Sequence, residues 1–259
     1  MNDSIRSSST ALTQLVTMSQ HLGEPARDYA ILGEGNTSAR ADEGTFFVKA
    51  SGREMRTITD DGFVQVAFDR VLGVLEQPEI TDSQVKDALV AAKVDPTTPG
   101  HPSVETFLHA LCLQLDGVNF VGHTHPSAIN MITCSTAFPD AVAGRLFPDE
   151  VVVCGPAPVI IPYVDPGLPL ARTVKRQIER FLDDYGEVPK VILMQNHGFI
   201  ALAPTAQQVE NITAMAVKAA RILVGAYTLG GPNFMTEENV RRIHTRPDEH
   251  YRQKVIGLK

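Results

Sequence analysis

Two short apolar segments, far apart in the chain, both end in histidine. The run Phe120-Val121-Gly122-His123-Thr124-His125-Pro126 reads as a strand finishing in His-x-His. Strand side chains alternate faces, so His123 and His125 project the same way, at a separation suited to one metal ion. The run Val191-Ile192-Leu193-Met194-Gln195-Asn196-His197-Gly198 is a second apolar strand, closed by His197. Three neutral nitrogen ligands with an open fourth position make a catalytic zinc site rather than a structural one. A fold that uses all three must bring both strand ends to one point. The plain alternative is a pair of histidines hydrogen-bonded at a loop; spacing and strand-end placement favour the metal.

The remaining composition narrows the class. A chain of 259 residues can bury a substantial core, and no Pro/Gly/Ser-rich linker divides it, so a single domain over 1–259 is expected. Hydrophobic residues make up 43% and charged residues 20%, as in a soluble globular protein. A formal charge of −7 argues against a nucleic-acid partner. No segment approaches the ~18 apolar residues that span a bilayer, and the polar start Met1–Ser8 lacks the apolar centre of a secretory signal. Cys112, Cys134 and Cys154 are odd in number and have apolar neighbours, so they read as buried, reduced thiols of a cytoplasmic protein.

Periodicity sketches the elements. Helices are expected at 11–22, 82–90 with Thr81 or Asp82 as N-cap, 103–111 with Ser103 as cap, 168–184 and 205–229. Strands are expected at 45–50, 63–68, 151–153 and 159–161, besides the two that end in histidine. The order implies a layered α/β fold with a central, mostly antiparallel sheet flanked by helices. The charged stretch 233–259, with His244, His250 and Tyr251, reads as a surface helix rather than a tail closing over a neighbouring site.

Three further segments carry site-like residues. In Gly33-Glu34-Gly35-Asn36-Thr37-Ser38 the glycines let backbone N–H groups approach an anion, with Asn36 and Ser38 as added donors; an ordinary tight turn fits equally well. Lys49-Ala50-Ser51-Gly52 suits phosphate or a solvent-facing turn, and solvent is the default for Lys49. In His101-Pro102-Ser103-Val104-Glu105, Ser103 could donate to an anion at a helix start. Glu105 reads either as a general acid/base or as the reciprocal partner of the helix cap. His109, one turn on, reads as a packed or surface histidine, while Thr124 and Asn196 could hydrogen-bond behind the metal ligands.

In this order the segments resemble the class II aldolase/adducin family. The matching elements are Gly35-Asn36-Thr37-Ser38, Ser51-Gly52, Ser103-Val104-Glu105, His123-Thr124-His125 and Asn196-His197-Gly198, with Ile161-Pro162-Tyr163 like the family's strand before a helix. The similarity spans about 12–225, the core of the domain. It implies a zinc ion (with Mn2+ or Co2+ as substitutes) held by His123, His125 and His197. It also implies Glu105 as catalytic acid/base, and Asn36, Ser51, Gly52 and Ser103 lining a phosphate pocket. A homotetramer with sites near subunit interfaces follows from the same resemblance.

The implied reaction is that of an aldolase. A ketose phosphate such as L-fuculose 1-phosphate would be cleaved through a zinc-stabilised enediolate to dihydroxyacetone phosphate and an aldehyde. A sugar-phosphate 4-epimerase, a decarboxylase, a dehydratase and a non-enzymatic adducin-like interaction domain are the alternatives on the same scaffold. Two departures bear on the substrate. Val104 stands where the fuculose-phosphate branch usually has a second serine, and 138–147 contains no match for that branch's interface tyrosine. Lys49–Gly52 and Pro102–Thr106 are closer to the aldolase part of rhamnulose-phosphate aldolase/dehydrogenase fusions, a looser similarity.

Overall fold

The computed structural model describes residues 2–77 and 79–248. In chain order the elements are α1 (Asn2–Leu22), β1 (Asn36–Arg40), β2 (Thr45–Lys49), β3 (Phe63–Ala67), α2 (Phe68–Leu75), α3 (Asp82–Ala91), α4 (Thr106–Leu113), β4 (Phe120–Thr124), α5 (Ser127–Thr133), α6 (Pro148–Cys154), β5 (Val159–Ile161), α7 (Leu168–Tyr185), β6 (Val191–Met194), β7 (Gly198–Ala203), α8 (Ala206–Thr228) and α9 (Glu237–Thr245). The strands form one sheet in the order β3-β2-β1-β4-β7-β6-β5. Every pairing is antiparallel except β5 with β6. This is the layered α/β arrangement expected from the element order. No helix among the described residues is long and apolar enough to cross a membrane.

Strand alternation divides the core between the sheet's two faces. Phe46, Val48, Val64 and Val66 pack with α2, α3, α4 and α7, through Val71, Leu89, Phe107 and Val174. Ala39, Phe120, Phe199 and Ala201 face the other way, onto α1, α5, α6 and α8, through Leu15, Ile129, Val152 and Val209. Gly122 sits where a side chain has no room: a Cβ there would lie 2.7 Å from Val209 and 3.1 Å from Leu22. Thr81 caps α3 through a reciprocal pair with Gln84, as its position suggests.

Four readings change. Val151–Val153 lies in α6, not in a strand. Pro148 at the first turn, with Asp149 and Glu150 beside it, starts a helix whose buried face outweighs the β preference of three valines. The segment after Gly35, read as a turn, becomes the interior strand β1. Residues 198–203 form β7, so His197 sits in the hairpin turn joining β6 to β7. Cys134 is exposed at the end of α5, whereas Cys112 and Cys154 are buried and burial pushes both thiols up to about 12. At the C-terminal end α9 has no buried residue, in keeping with a surface helix, and His244 meets Glu187 at 3.0 Å. His250 and Tyr251 lie outside the described residues.

Candidate active site

Antiparallel order sets the site. Because β1, β4 and β7 are consecutive neighbours running alternately, the start of β1, the ends of β2 and β4 and the start of β7 share one edge of the sheet. Asn36 pairs with His123 across β1 and β4, and Thr124 pairs with Phe199 across β4 and β7. His197 therefore arrives beside His125, although 71 residues lie between them along the chain. Two glycines permit the convergence. A Cβ on Gly198 would come within 2.5 Å of the His125 ring and 3.0 Å of the His123 ring. One on Gly35, where φ is +69°, would meet the His123 carbonyl at 2.8 Å.

The three rings stand edge to face, with centroids 4.8, 5.0 and 5.3 Å apart. One nitrogen of each lies within 4.8 Å of the others. The tautomers of His123 and His125 follow from their outer partners. His123 Nδ1–H donates to the Phe199 carbonyl at 3.0 Å, and His125 Nδ1–H donates to the Glu34 carboxylate at 3.2 Å. Both Nε2 atoms are then left to face each other at 3.1 Å. Two lone pairs so close repel unless a positive charge lies between them. Burial, together with His123 and His197, pulls His125 down to about 3, which keeps it the neutral imidazole a metal requires. These residues fit a divalent ion.

Glu105 closes the cluster from inside. Its Oε1 lies 3.0 Å from His197 Nε2 and 3.6 Å from His123 Nε2. Burial alone would raise this carboxyl, but His123 and His197 outweigh it and hold it well below the usual carboxylate range. Burial would likewise lower His123, yet the Glu105 carboxylate raises it; negative charge inside the cluster favours positive charge among the nitrogens. Glu105 is thus no cap partner. Helix α4 starts at Thr106, Glu105 makes no side-chain cap bond, and the Ser103 hydroxyl caps nothing.

Behind Glu105 runs a buried chain of hydrogen bonds. Asn36 Nδ2 donates to Glu105 Oε2 at 2.5 Å. Asn36 Oδ1 accepts from His109 Nε2, and Ser38 Oγ donates to His109 Nδ1 at 2.7 Å. Burial pulls His109 down to about 3, so its ring is neutral and has one donor and one acceptor, as this chain needs. His109 is a fully packed histidine, but it supports the site; its place one helical turn after Glu105 was the available signal.

On the other flank, the Ala50–Pro102 bridge and the Ser51 N–H bond to the His101 carbonyl at 2.9 Å join 50–52 to 101–103. Ser51 is exposed, and Gly52 (φ +78°) has open space around it. The Ser103 hydroxyl is buried without a hydrogen-bond partner, as is that of Thr124. Lys49 does not face solvent: its side chain is buried and donates to the carbonyls of Gly33 at 3.3 Å and Arg53 at 2.5 Å. Burial pulls its amine down to about 8 against the opposing pull of Glu105. Val104 is partly exposed and lies against Gly167, at a groove shared with Thr81 and Leu168. Asn196 contributes its left-handed backbone (φ +52°) to the hairpin turn, and its N–H donates to the Thr133 carbonyl at 3.1 Å. Asn130 Nδ2 donates to the His197 carbonyl at 3.3 Å, a contact no sequence pattern marks.

The sequence profile of the class II aldolase and adducin N-terminal domain matches residues 13–224. No curated protein sequence matches the chain. Among solved structures, the N-terminal class II aldolase domain of a conserved protein from Thermoplasma acidophilum is similar at 27% identity and TM-score 0.64, over 82% of this chain and 92% of that one. L-fuculose 1-phosphate aldolase from Glaciozyma antarctica PI12 is similar at 14% identity and TM-score 0.67, over 94% and 84%. YgbL from Escherichia coli, described as a candidate aldolase, epimerase or decarboxylase, is similar at 17% identity and TM-score 0.66, over 92% and 99%. The last two likenesses concern the fold.

Proposed function

Since the chain belongs to the class II aldolase and adducin N-terminal domain family, we propose that it is a divalent-metal-dependent aldolase, with zinc the expected ion, that cleaves a ketose phosphate resembling L-fuculose 1-phosphate. The observation that carries this reading is the Glu105 carboxylate turned onto the Nε2 atoms of His123 and His197, within a cluster of three histidines. His123, His125 and His197 would hold the ion. When bound, it supplies Lewis-acid stabilisation of the oxygen charge that develops as the carbon–carbon bond breaks.

The chain's own residues handle the proton and the substrate. Glu105 takes the proton from the carbon beside the ketone in bond formation and returns it in cleavage. Asn36 holds Oε2, so Oε1, which faces His123 and His197, is the oxygen that would exchange the proton with the reacting carbon. Ser51, Gly52 and Ser103 form the corner that would receive the phosphate, with the unpartnered Ser103 hydroxyl as its buried donor. A homotetramer acting in the cytoplasm completes the proposal.

One observation favours a second reading. Asn36 and Ser38 are engaged inside the protein and Val104 has no hydroxyl, so the anion corner is sparse. A substrate bearing a carboxylate or no phosphate, as in a decarboxylase, fits that poverty. Metal-replete turnover against ketose phosphates, free ketoses and 3-oxo acid phosphates, with products identified by mass, separates the readings. Absence of stoichiometric divalent metal in the purified protein would favour an adducin-like scaffold instead.

A further inference from the structure

We infer that Glu34 is a positioning residue for the metal centre, setting how tightly the histidine cluster holds its ion. The inference rests on the proposed metal-binding role of the triad. Sequence alone places Glu34 between two glycines of a turn suited to anions, yet its negative charge opposes that use. The structure gives it another partner: Oε2 lies 3.2 Å from His125 Nδ1, on the side of the ring away from the cluster.

The carboxylate is itself held. Its Oε1 accepts the Ile31 N–H at 2.7 Å, and the Glu34 N–H returns a bond to the Ile31 carbonyl at 3.2 Å. The same segment grips His125 a second time, because the His125 backbone N–H donates to the Tyr29 carbonyl at 2.8 Å. Gly33 is tied to Lys49, and Gly35 lies against the His123 carbonyl where no side chain would fit. Residues 29–35 thus form a cradle that fixes both backbone and ring of one ligand. Leu32 adopts a left-handed backbone (φ +53°) within it.

The contrast with His123 gives the carboxylate its meaning. The outer nitrogen of His123 meets a neutral carbonyl, whereas that of His125 meets a charge. A carboxylate behind an imidazole fixes the tautomer and increases the electron density of the ligating nitrogen, and charged acceptors bind more strongly than neutral ones. Glu34 and Glu105 also place two negative charges against the cluster, one outside and one inside, balancing a divalent cation.

The test is Zn2+ affinity of the full-length chain, by competition with a chromophoric chelator, for wild type, Glu34→Gln and Glu34→Ala. Glu34→Gln keeps an oxygen for the Ile31 N–H but turns an amide N–H toward His125 Nδ1, so it removes the charge and the acceptor behind the ring while leaving the loop contact. We expect it to bind Zn2+ about 10- to 100-fold more weakly, with Glu34→Ala at least as weak, and with metal-free melting of the Gln variant unchanged. Wild-type affinity in Glu34→Gln would overturn the proposal while leaving the metal site intact. Weakening in Ala but not in Gln would also overturn it, since it would assign Glu34 to loop structure alone. Failure of wild type itself to bind Zn2+ would overturn the metal reading on which the inference rests.

Discussion

Two turns flank the histidine cluster, and by sequence they look alike: Gly33–Ser38 and Ser51-Gly52 with its neighbour Ser103. Each offers glycine and small polar donors suited to an anion. In the fold they do opposite things. In the first turn Glu34 meets His125, Asn36 joins Glu105 to His109, and Ser38 ends that chain. In the second, Ser51 is exposed, Gly52 has empty space around it and the Ser103 hydroxyl has no partner. The side chains of the first turn are engaged with one another and with the cluster; those of the second are not. A polar residue beside the cluster is therefore informative mainly through what already satisfies it, since a buried hydroxyl left without a partner costs stability.

The largest expected effect falls on the cluster that both turns serve. His125→Ala should lose bound metal and turnover together, read by metal analysis and rate. Glu105→Gln should keep its metal while turnover falls by about 10²- to 10⁴-fold. Near-normal turnover in metal-free His125→Ala would remove the basis for the catalytic reading.

Lys49 ties the two turns together through the carbonyls of Gly33 and Arg53. Because its folded-state pKa is pulled down to about 8, its charge is a penalty that is fully present below that pH. Between about 8 and lysine's ordinary range the unfolded chain binds the extra proton, so stability rises with pH there. Wild type should gain on Lys49→Met across that window, by roughly 3 kcal/mol at most, in denaturant titrations of metal-free protein. A flat difference would show that the carbonyls fully compensate the buried charge.

Two serines sharpen the comparison further. Ser38→Ala strips His109 of a buried partner and should cost about 1–3 kcal/mol in unfolding free energy. Ser103→Ala removes a buried hydroxyl that bonds to nothing in the protein, so stability should hold or rise, by up to about 1–3 kcal/mol. Its KM for an anionic substrate should nevertheless rise, with kcat little changed. Equal stability losses in the two variants would erase the distinction between the turns.

The reach of the sequence differs from residue to residue. His123 and His125 were legible because strand alternation is local: residues two apart share a face whatever the rest of the chain does. His197 was legible as a strand-end histidine, although its true setting is a hairpin turn made by Asn196 and Gly198. Glu105 was legible as an acid near a helix start, but whether it caps the helix or faces the histidines depended on a sheet edge 18 residues further on. Val151–Val153 misled because β-branched residues carry a weak preference that helix packing overrides. Lys49 misled because average exposure says nothing about one lysine at the buried end of an interior strand.

By itself the sequence determined the residue types, the alternation that aims the His pair, the layered α/β class and the family resemblance, all of which depend on short-range pattern or motif order. Only the tertiary structure decided partners. Glu34 on His125, His109 behind Asn36, Asn130 on His197 and the unpartnered Ser103 arise where segments distant in sequence meet at one sheet edge. Hydrogen bonds act over about 3 Å, and no local pattern records which distant groups come that close.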